Sequence, residues 1–199
     1  LSLERDVFYY ITLTSESLPQ LAIDDPDAVL RGMHCIKRVG EHALDGQADV
    51  RLLASGPMVH QALLAAQWLA QQGFTIDVFS VTSWSRLARE GMQAERLERI
   101  GAERDTPIIA VSDYVRAVPE QIRAYLPQPQ AMTCLGTDGF GRSDTRSELR
   151  DFFEVSARWI AQAALVRLQR RDLIHALFAE LDASLGGPQA DRRQAPWEH

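Results

Sequence analysis

The residues best placed to do chemistry lie in Gly136-Thr137-Asp138-Gly139-Phe140-Gly141-Arg142. A glycine-rich loop between a strand and a helix can cradle a phosphate, because backbone N–H groups and the helix N-terminus point at the ligand. The spacing argues against that use here. Gly136, Gly139 and Gly141 read G-x-x-G-x-G, whereas a dinucleotide fingerprint reads G-x-G-x-x-G, and no P-loop is present. Asp138 and Asp144 would oppose a phosphate as well. A structural turn, with glycine reaching φ > 0, is the simpler reading.

The remaining candidates are weaker. Ser55-Gly56 sits where a strand should give way to a helix, and it suits close helix–sheet packing better than ligand contact. Trp84, after the hydroxyl-rich Val81-Thr82-Ser83, suits an interface if exposed and the core if buried. The five histidines show no H-x-x-x-H or H-E-x-x-H spacing. Arg142, Arg146 and Arg150 recur every four residues along one helix edge, the pattern of a solvated or salt-bridged face that can also meet a partner subunit. No pair of carboxylates announces acid–base work. The residues thus describe a domain without a catalytic constellation of its own.

Composition is consistent with that. The chain has 199 residues, 46% hydrophobic and 24% charged, enough for one domain with a sizeable core. Its apolar runs fall short of the roughly 20 residues that span a bilayer. No charged segment followed by an apolar one opens the sequence, so no secretory signal is expected. Cys35 and Cys134 are expected as buried thiols of a cytoplasmic protein. Lys37 is the only lysine against 20 arginines, with 25 alanines and no asparagine, a bias of genome composition. A net charge of −6 argues against nucleic acid and anionic membranes as partners.

The elements that must position these residues follow from patterning. Residues 6–13 are aromatic and β-branched and read as a first strand. Asp25-Pro26-Asp27 opens a short helix running towards Met33 or Ile36. Strands are expected over 50–54, 75–81, 108–111 and 130–135, with helices over 58–72, from Ser83 or Ser85 to near Ile100, and over 119–125. Asp144 is the expected N-cap of helical structure from Thr145 to Leu185, broken near Arg171-Asp172. Alternation of strands and helices implies a layered α/β domain with a mostly parallel sheet, the first strand being free to run antiparallel at an edge. The domain is placed at 1–185, followed by a polar, poorly ordered tail at 186–199.

One stretch, Leu135-Gly136-Thr137-Asp138-Gly139-Phe140-Gly141-Arg142-Ser143-Asp144-Thr145-Arg146, with Leu149-Arg150 and Phe153-Glu154-Val155 after it, resembles the C-terminal domain of the homodimeric class of pyruvate dehydrogenase first components. Asp6-Val7-Phe8-Tyr9-Tyr10-Ile11-Thr12, Leu52-Leu53-Ala54-Ser55-Gly56, Asp77-Val78-Phe79-Ser80-Val81-Thr82-Ser83, Ala94-Glu95-Arg96 and Ser112-Asp113-Tyr114 agree in order. The resemblance implies a transketolase C-terminal-like fold: three α/β/α layers over a five-stranded mixed sheet whose first strand is antiparallel. It also implies that thiamine diphosphate and Mg²⁺ are held by N-terminal and middle domains, in the same longer chain or a separate subunit. This chain alone is then expected neither to bind the cofactor nor to turn over. It is expected to contribute dimer contacts and part of the active-site entrance, in an assembly with a lipoyl acyltransferase. Glu16, Asp138, Phe140, Arg142, Ser143, Asp144 and Arg146 are the implied entrance or interface residues.

The sequence departs from that family at Ser15-Glu16-Ser17-Leu18-Pro19-Gln20, where the family reads Asn-Glu-Asn-Tyr and often a histidine; only Glu16 persists. The connection between Ile100 and Pro107 is also short. These departures leave room for a different 2-oxoacid, a transketolase-like transfer, or a non-catalytic docking domain. The start at Leu1 fits a truncated or processed chain, read as one domain of an assembly.

Overall fold

The computed structural model describes residues 8, 10–40, 47–94, 97, 100 and 106–185. The tail expected at 186–199 and most of the 100–107 connection lie outside them.

Four strands form where short apolar runs predict them: β2 (Val50–Ala54), β3 (Ile76–Val81), β4 (Ile108–Val111) and β5 (Met132–Leu135). They pair in parallel, as expected of strands joined by helical crossovers. The sheet order is β1-β3-β2-β4-β5. The antiparallel member is β1 (Met33–Val39), which pairs with β3 from Met33 opposite Val81 to Val39 opposite Ile76.

The mixed sheet is therefore as expected, but its antiparallel strand is not the one the sequence suggests. Phe8 and residues 10–13 lie in no strand, with Phe8, Tyr10, Ile11 and Leu13 between 77% and 92% exposed. The helix opened by Asp25 and Pro26 is α1 (Pro26–Leu30), capped by Ala28 N–H donating to Asp25 Oδ1 at 2.9 Å. It stops short of Met33, and the chain turns at Gly32 straight into β1. Gly32 carbonyl accepts from Thr82 N and Ser83 N, fixing that turn against the end of β3. With β1 in place beside β3, residues 10–13 have no edge to join there.

Helices cover both faces. On one side lie α2 (Met58–Gln71), α6 (Ala157–Arg167) and α7 (Ile174–Leu185). Ala62, Ala65 and Ala66 of α2 and Ala161 and Ala164 of α6 are fully buried there with Val50, Leu52, Ile76, Val78, Ile109 and Val111 of the sheet. Small side chains let the helices approach closely. Trp68 Nε1 donates to Glu180 Oε2 at 2.7 Å and ties α7 to α2. On the other side, α3 (Trp84–Ala94), capped by Ser83 Oγ accepting from Arg86 N at 3.1 Å, packs beside α4 (Ala117–Glu120) and a 3₁₀ turn at Arg123–Tyr125. Leu53, Val81, Ile108, Ala110, Met132 and Cys134 point into that second core. The alternation of strand side chains between two apolar layers explains the near-continuous apolar runs.

The helical stretch after residue 145 is more broken than expected. It forms α5 (Arg146–Phe152), α6 and α7, separated by turns in which Glu154 (φ 60°) and Gln169 (φ 59°) take the left-handed conformation. The N-cap of α5 is Thr145, whose Oγ1 accepts from Glu148 N at 3.3 Å; Asp144 Oδ1 instead accepts from Thr145 N at 2.7 Å.

Candidate functional site

The carboxyl ends of β2, β4 and β5 carry the loops that the sequence singles out. Helix α2 carries the chain from β2 towards β3 on one side, while β4 flanks β2 on the other. The loops after β2 and β4 therefore diverge, the place where open α/β sheets present their functional face. Ser55 Oγ donates to Ser112 Oγ at 3.3 Å across that divergence, and Ser112 Oγ also accepts from Tyr114 N at 3.1 Å. Burial pushes the Asp113 carboxyl above its ordinary pKa, and the charge of Arg150 offsets part of the rise.

The loop after β5 is stitched to the loop after β4. Thr137 N and Oγ1 donate to Tyr114 O and Asp113 O, each at 2.9 Å. Arg116 N donates to Asp138 Oδ1 at 2.8 Å, and its guanidinium pairs with Asp138 Oδ2. These bonds to Arg116, backbone first, hold the Asp138 carboxyl below its ordinary range. Gly136 is needed for this stitch, but not for a positive φ. A Cβ there would stand 2.6 Å from Tyr114 O and 2.7 Å from Arg116 N, so only glycine lets the two backbones meet. Gly139 does take φ +94°, the left-handed turn expected of this loop.

Glu16 comes to the same face from the far end of the sequence. Its carboxylate pairs with Arg150 on α5, and Arg146 Nε lies 4.0 Å away. Arg146 also donates to Ser15 Oγ at 3.0 Å. The Arg142 guanidinium rests over the Phe152 ring, 4.1 Å from its centroid. Phe140 stands 97% exposed at the loop tip, and Ser143 and Asp144 are exposed beside it. The structure thus gathers the expected residues on one face, as a rim of ion pairs and apolar tips. Arg116 is the participant that sequence reasoning does not single out; its partner lies 22 residues away, and no local spacing signals the contact.

Other candidates settle into structure. Trp84 is buried core. Cys134 is buried, its thiol pushed up to about 12 by desolvation first and then by the nearby Glu120. Cys35 is exposed, contrary to expectation, because it points outward from an edge strand next to a bulge. Among the described residues no group of three or more His, Cys, Asp and Glu side chains is placed to hold a metal ion. No described helix is long and apolar enough to cross a membrane.

Residues 32–156 match a family described as the transketolase-like TK C-terminal domain. The pyruvate dehydrogenase E1 component of Pseudomonas aeruginosa is 36% identical over 202 residues, covering 92% of this chain and 22% of its own length. That of Mycolicibacterium smegmatis is 37% identical, covering 94% of this chain and 21% of its own. The chain therefore spans about a fifth of the length of these relatives. Among solved structures, transketolase from Pichia stipitis in complex with sedoheptulose-7-phosphate aligns with a TM-score of 0.55 at 18% identity, covering 92% of this chain and 22% of its own. Transketolase from Leishmania mexicana aligns at 0.52 and 20% identity, over 72% of this chain and 19% of its own. These likenesses show the fold: a five-stranded mixed sheet with its first strand antiparallel.

Proposed function

Because the chain belongs to the transketolase-like C-terminal domain family, we propose that it acts as the C-terminal domain, or an equivalent separate subunit, of a thiamine diphosphate-dependent 2-oxoacid dehydrogenase first component. The observation that carries this reading is the match to E1 components along nearly the whole of this chain but only 22% of theirs. The assembled enzyme would decarboxylate pyruvate and pass the acyl group to a lipoyl arm of its acyltransferase. This chain would supply dimer contacts and the rim of the active-site entrance through Glu16, Asp138, Phe140, Arg142, Ser143, Asp144 and Arg146.

The donors on that rim do not suit thiamine diphosphate and its Mg²⁺. Asp113 and Asp138 would repel a diphosphate, and Arg116, Arg146 and Arg150 are already engaged by Asp138, Ser15 and Glu16. No chemical step through the cofactor is assigned to this chain; the N-terminal and middle domains of an E1-type assembly would hold it.

Two measurements test this. Calorimetry of the isolated chain with thiamine diphosphate and Mg²⁺ should give no heat of binding. A chimera in which this chain replaces the matching C-terminal fifth of the Pseudomonas aeruginosa E1 component should decarboxylate pyruvate. A folded, cofactor-loaded chimera that is inert towards pyruvate overturns the reading. The altered segment at 15–20 favours one second reading, a thiamine enzyme with another substrate. Turnover of a different 2-oxoacid or a ketose phosphate by the same chimera would select it.

A further inference from the structure

Helix α6 has more apolar surface than the sheet beside it can cover. Ala157, Ile160, Ala161, Ala164 and Leu165 are buried in the main core. Trp159, Ala163 and Val166, at spacings of four and three, form a second stripe that is only half-buried. The sheet order is the reason: β5 is the last strand, so among the described residues no further strand lies beyond it to meet that stripe. Leu135 of β5 completes a groove of about 210 Å³. Glu154, before α6, stands at one end of its lining, and Arg167, the last residue of α6, at the other. A cavity of about 150 Å³ admits benzene, so this one has room for an indole.

The chain beyond Leu185 carries the matching chemistry. Of residues 186–199, Trp197 is the one large apolar side chain; Arg193 precedes it by four residues and Glu198 follows it. Pro196 fixes its own φ and drives Ala195 to extended backbone. Extended, Arg193 to Glu198 covers roughly 16 Å. From Ala157 to Arg167 helix α6 rises about 15 Å. The charges also run in the right order. Helix α7 returns along α6, with the Phe178 ring 5.2 Å from that of Trp159, so its last residues pass the Glu154 end. Residues 186–193 can span about 26 Å, enough to bring Arg193 to Glu154 first and Glu198 to Arg167 after it. Arg167 donates to Gln130 O through Nη2, and its fork has further N–H groups to offer a carboxylate.

We propose that residues 193–198 of this chain occupy the β5–α6 groove, with Trp197 seated over Ala163 between Trp159 and Val166, Arg193 at Glu154 and Glu198 at Arg167. Trp159 Nε1 donates to Asp151 of α5, the helix that carries Arg146 and Arg150. The seated segment therefore braces the rim helix from behind. The proposal is independent of the catalytic reading, because it needs only this chain.

Acrylamide quenching of tryptophan fluorescence in the full 199-residue chain tests it, with the Trp197→Phe variant subtracted to isolate Trp197. Trp197 should be roughly threefold to tenfold less accessible than in the free peptide 186–199, since a pocket covers most of what it binds. Ala163→Arg fills the groove from a half-exposed helix position. It should return Trp197 to the accessibility of the peptide while the melting temperature stays within about 2 °C. A charge swap keeps the test open if that variant does not fold. Arg167→Glu and Glu198→Arg should each weaken docking about twofold to fivefold, and the double variant should restore it. Equal accessibility of Trp197 in chain and peptide overturns the proposal. So does protection that grows with protein concentration, which assigns the segment to the groove of a second copy. Protection that survives Ala163→Arg and both single charge changes overturns it as well.

Discussion

Two arginine–carboxylate clusters in this domain use the same chemistry at different depths. Asp151 accepts from Arg158 Nε and from Trp159 Nε1, both at 2.6 Å, and the paired side chains are 7% and 12% exposed. Its partners lie seven and eight residues away, so the cluster locks the turn between α5 and α6. Glu16 instead reaches Arg150 across 134 residues and pins the segment at 14–16 to α5. A buried local cluster fixes the fold. A rim cluster of long sequence separation ties one part of the chain to a helix far from it in sequence. The Asp138–Arg116 pair, with side chains 40% and 58% exposed, is shallower still and joins two loops already bonded through their backbones.

Substitutions should sort by that depth. The largest loss is expected from Asp151→Ala, about 3 kcal/mol by denaturant unfolding, because it leaves the Arg158 guanidinium buried without its carboxylate. A loss below about 1 kcal/mol would place Asp151 with the rim clusters and break the comparison. Gly136→Val should cost about 1–3 kcal/mol and free the amide of Thr137 to exchange, since its Cβ meets backbone on both sides. Arg150→Met should cost about 1 kcal/mol of domain stability, because the largely buried Glu16 carboxylate loses its nearer guanidinium and keeps Arg146 at 4.0 Å.

The smallest effects are pH slopes of opposite sign. Asp138 is held below its unfolded pKa, so its contribution is complete above the unfolded value and is lost as pH falls through the folded one. Asp113 is raised by burial, so stability falls as pH rises from its unfolded to its folded pKa. Asp138→Asn should therefore flatten the acid side of a melting-temperature profile. Asp113→Asn should remove a downward slope at higher pH. Like-signed changes in the two variants would contradict the assigned causes.

Much of the fold was legible because its signals are local. β2 to β5 are short apolar runs between turn residues, and α2 is an alanine–leucine helix closed by Gly73. The antiparallel strand was not legible. Met33-His34-Cys35-Ile36-Lys37-Arg38-Val39 mixes apolar, basic and thiol side chains, and a bulge between Cys35 and Lys37 interrupts its pairing. Residues 6–13 carry a stronger strand signal, which propensity cannot assign to one sheet rather than another. The candidate loop was legible from its glycines and from the resemblance that its twelve residues carry. Its partner Arg116 and the clamp on Glu16 were not, because each closes over a span that local spacing does not report.

By itself the sequence determined the layered α/β class, the four parallel strands and the loop at 136–146. Those properties follow from apolar periodicity, turn residues and side-chain inventory, which act over a few neighbouring positions. Only the tertiary structure decided which segment takes the antiparallel edge, why Gly136 must be glycine, and that Glu16 meets Arg146 and Arg150. Each of these depends on which surfaces remain free once the sheet has closed, and hydrogen bonds and ion pairs between distant residues form only where packing has already brought them together.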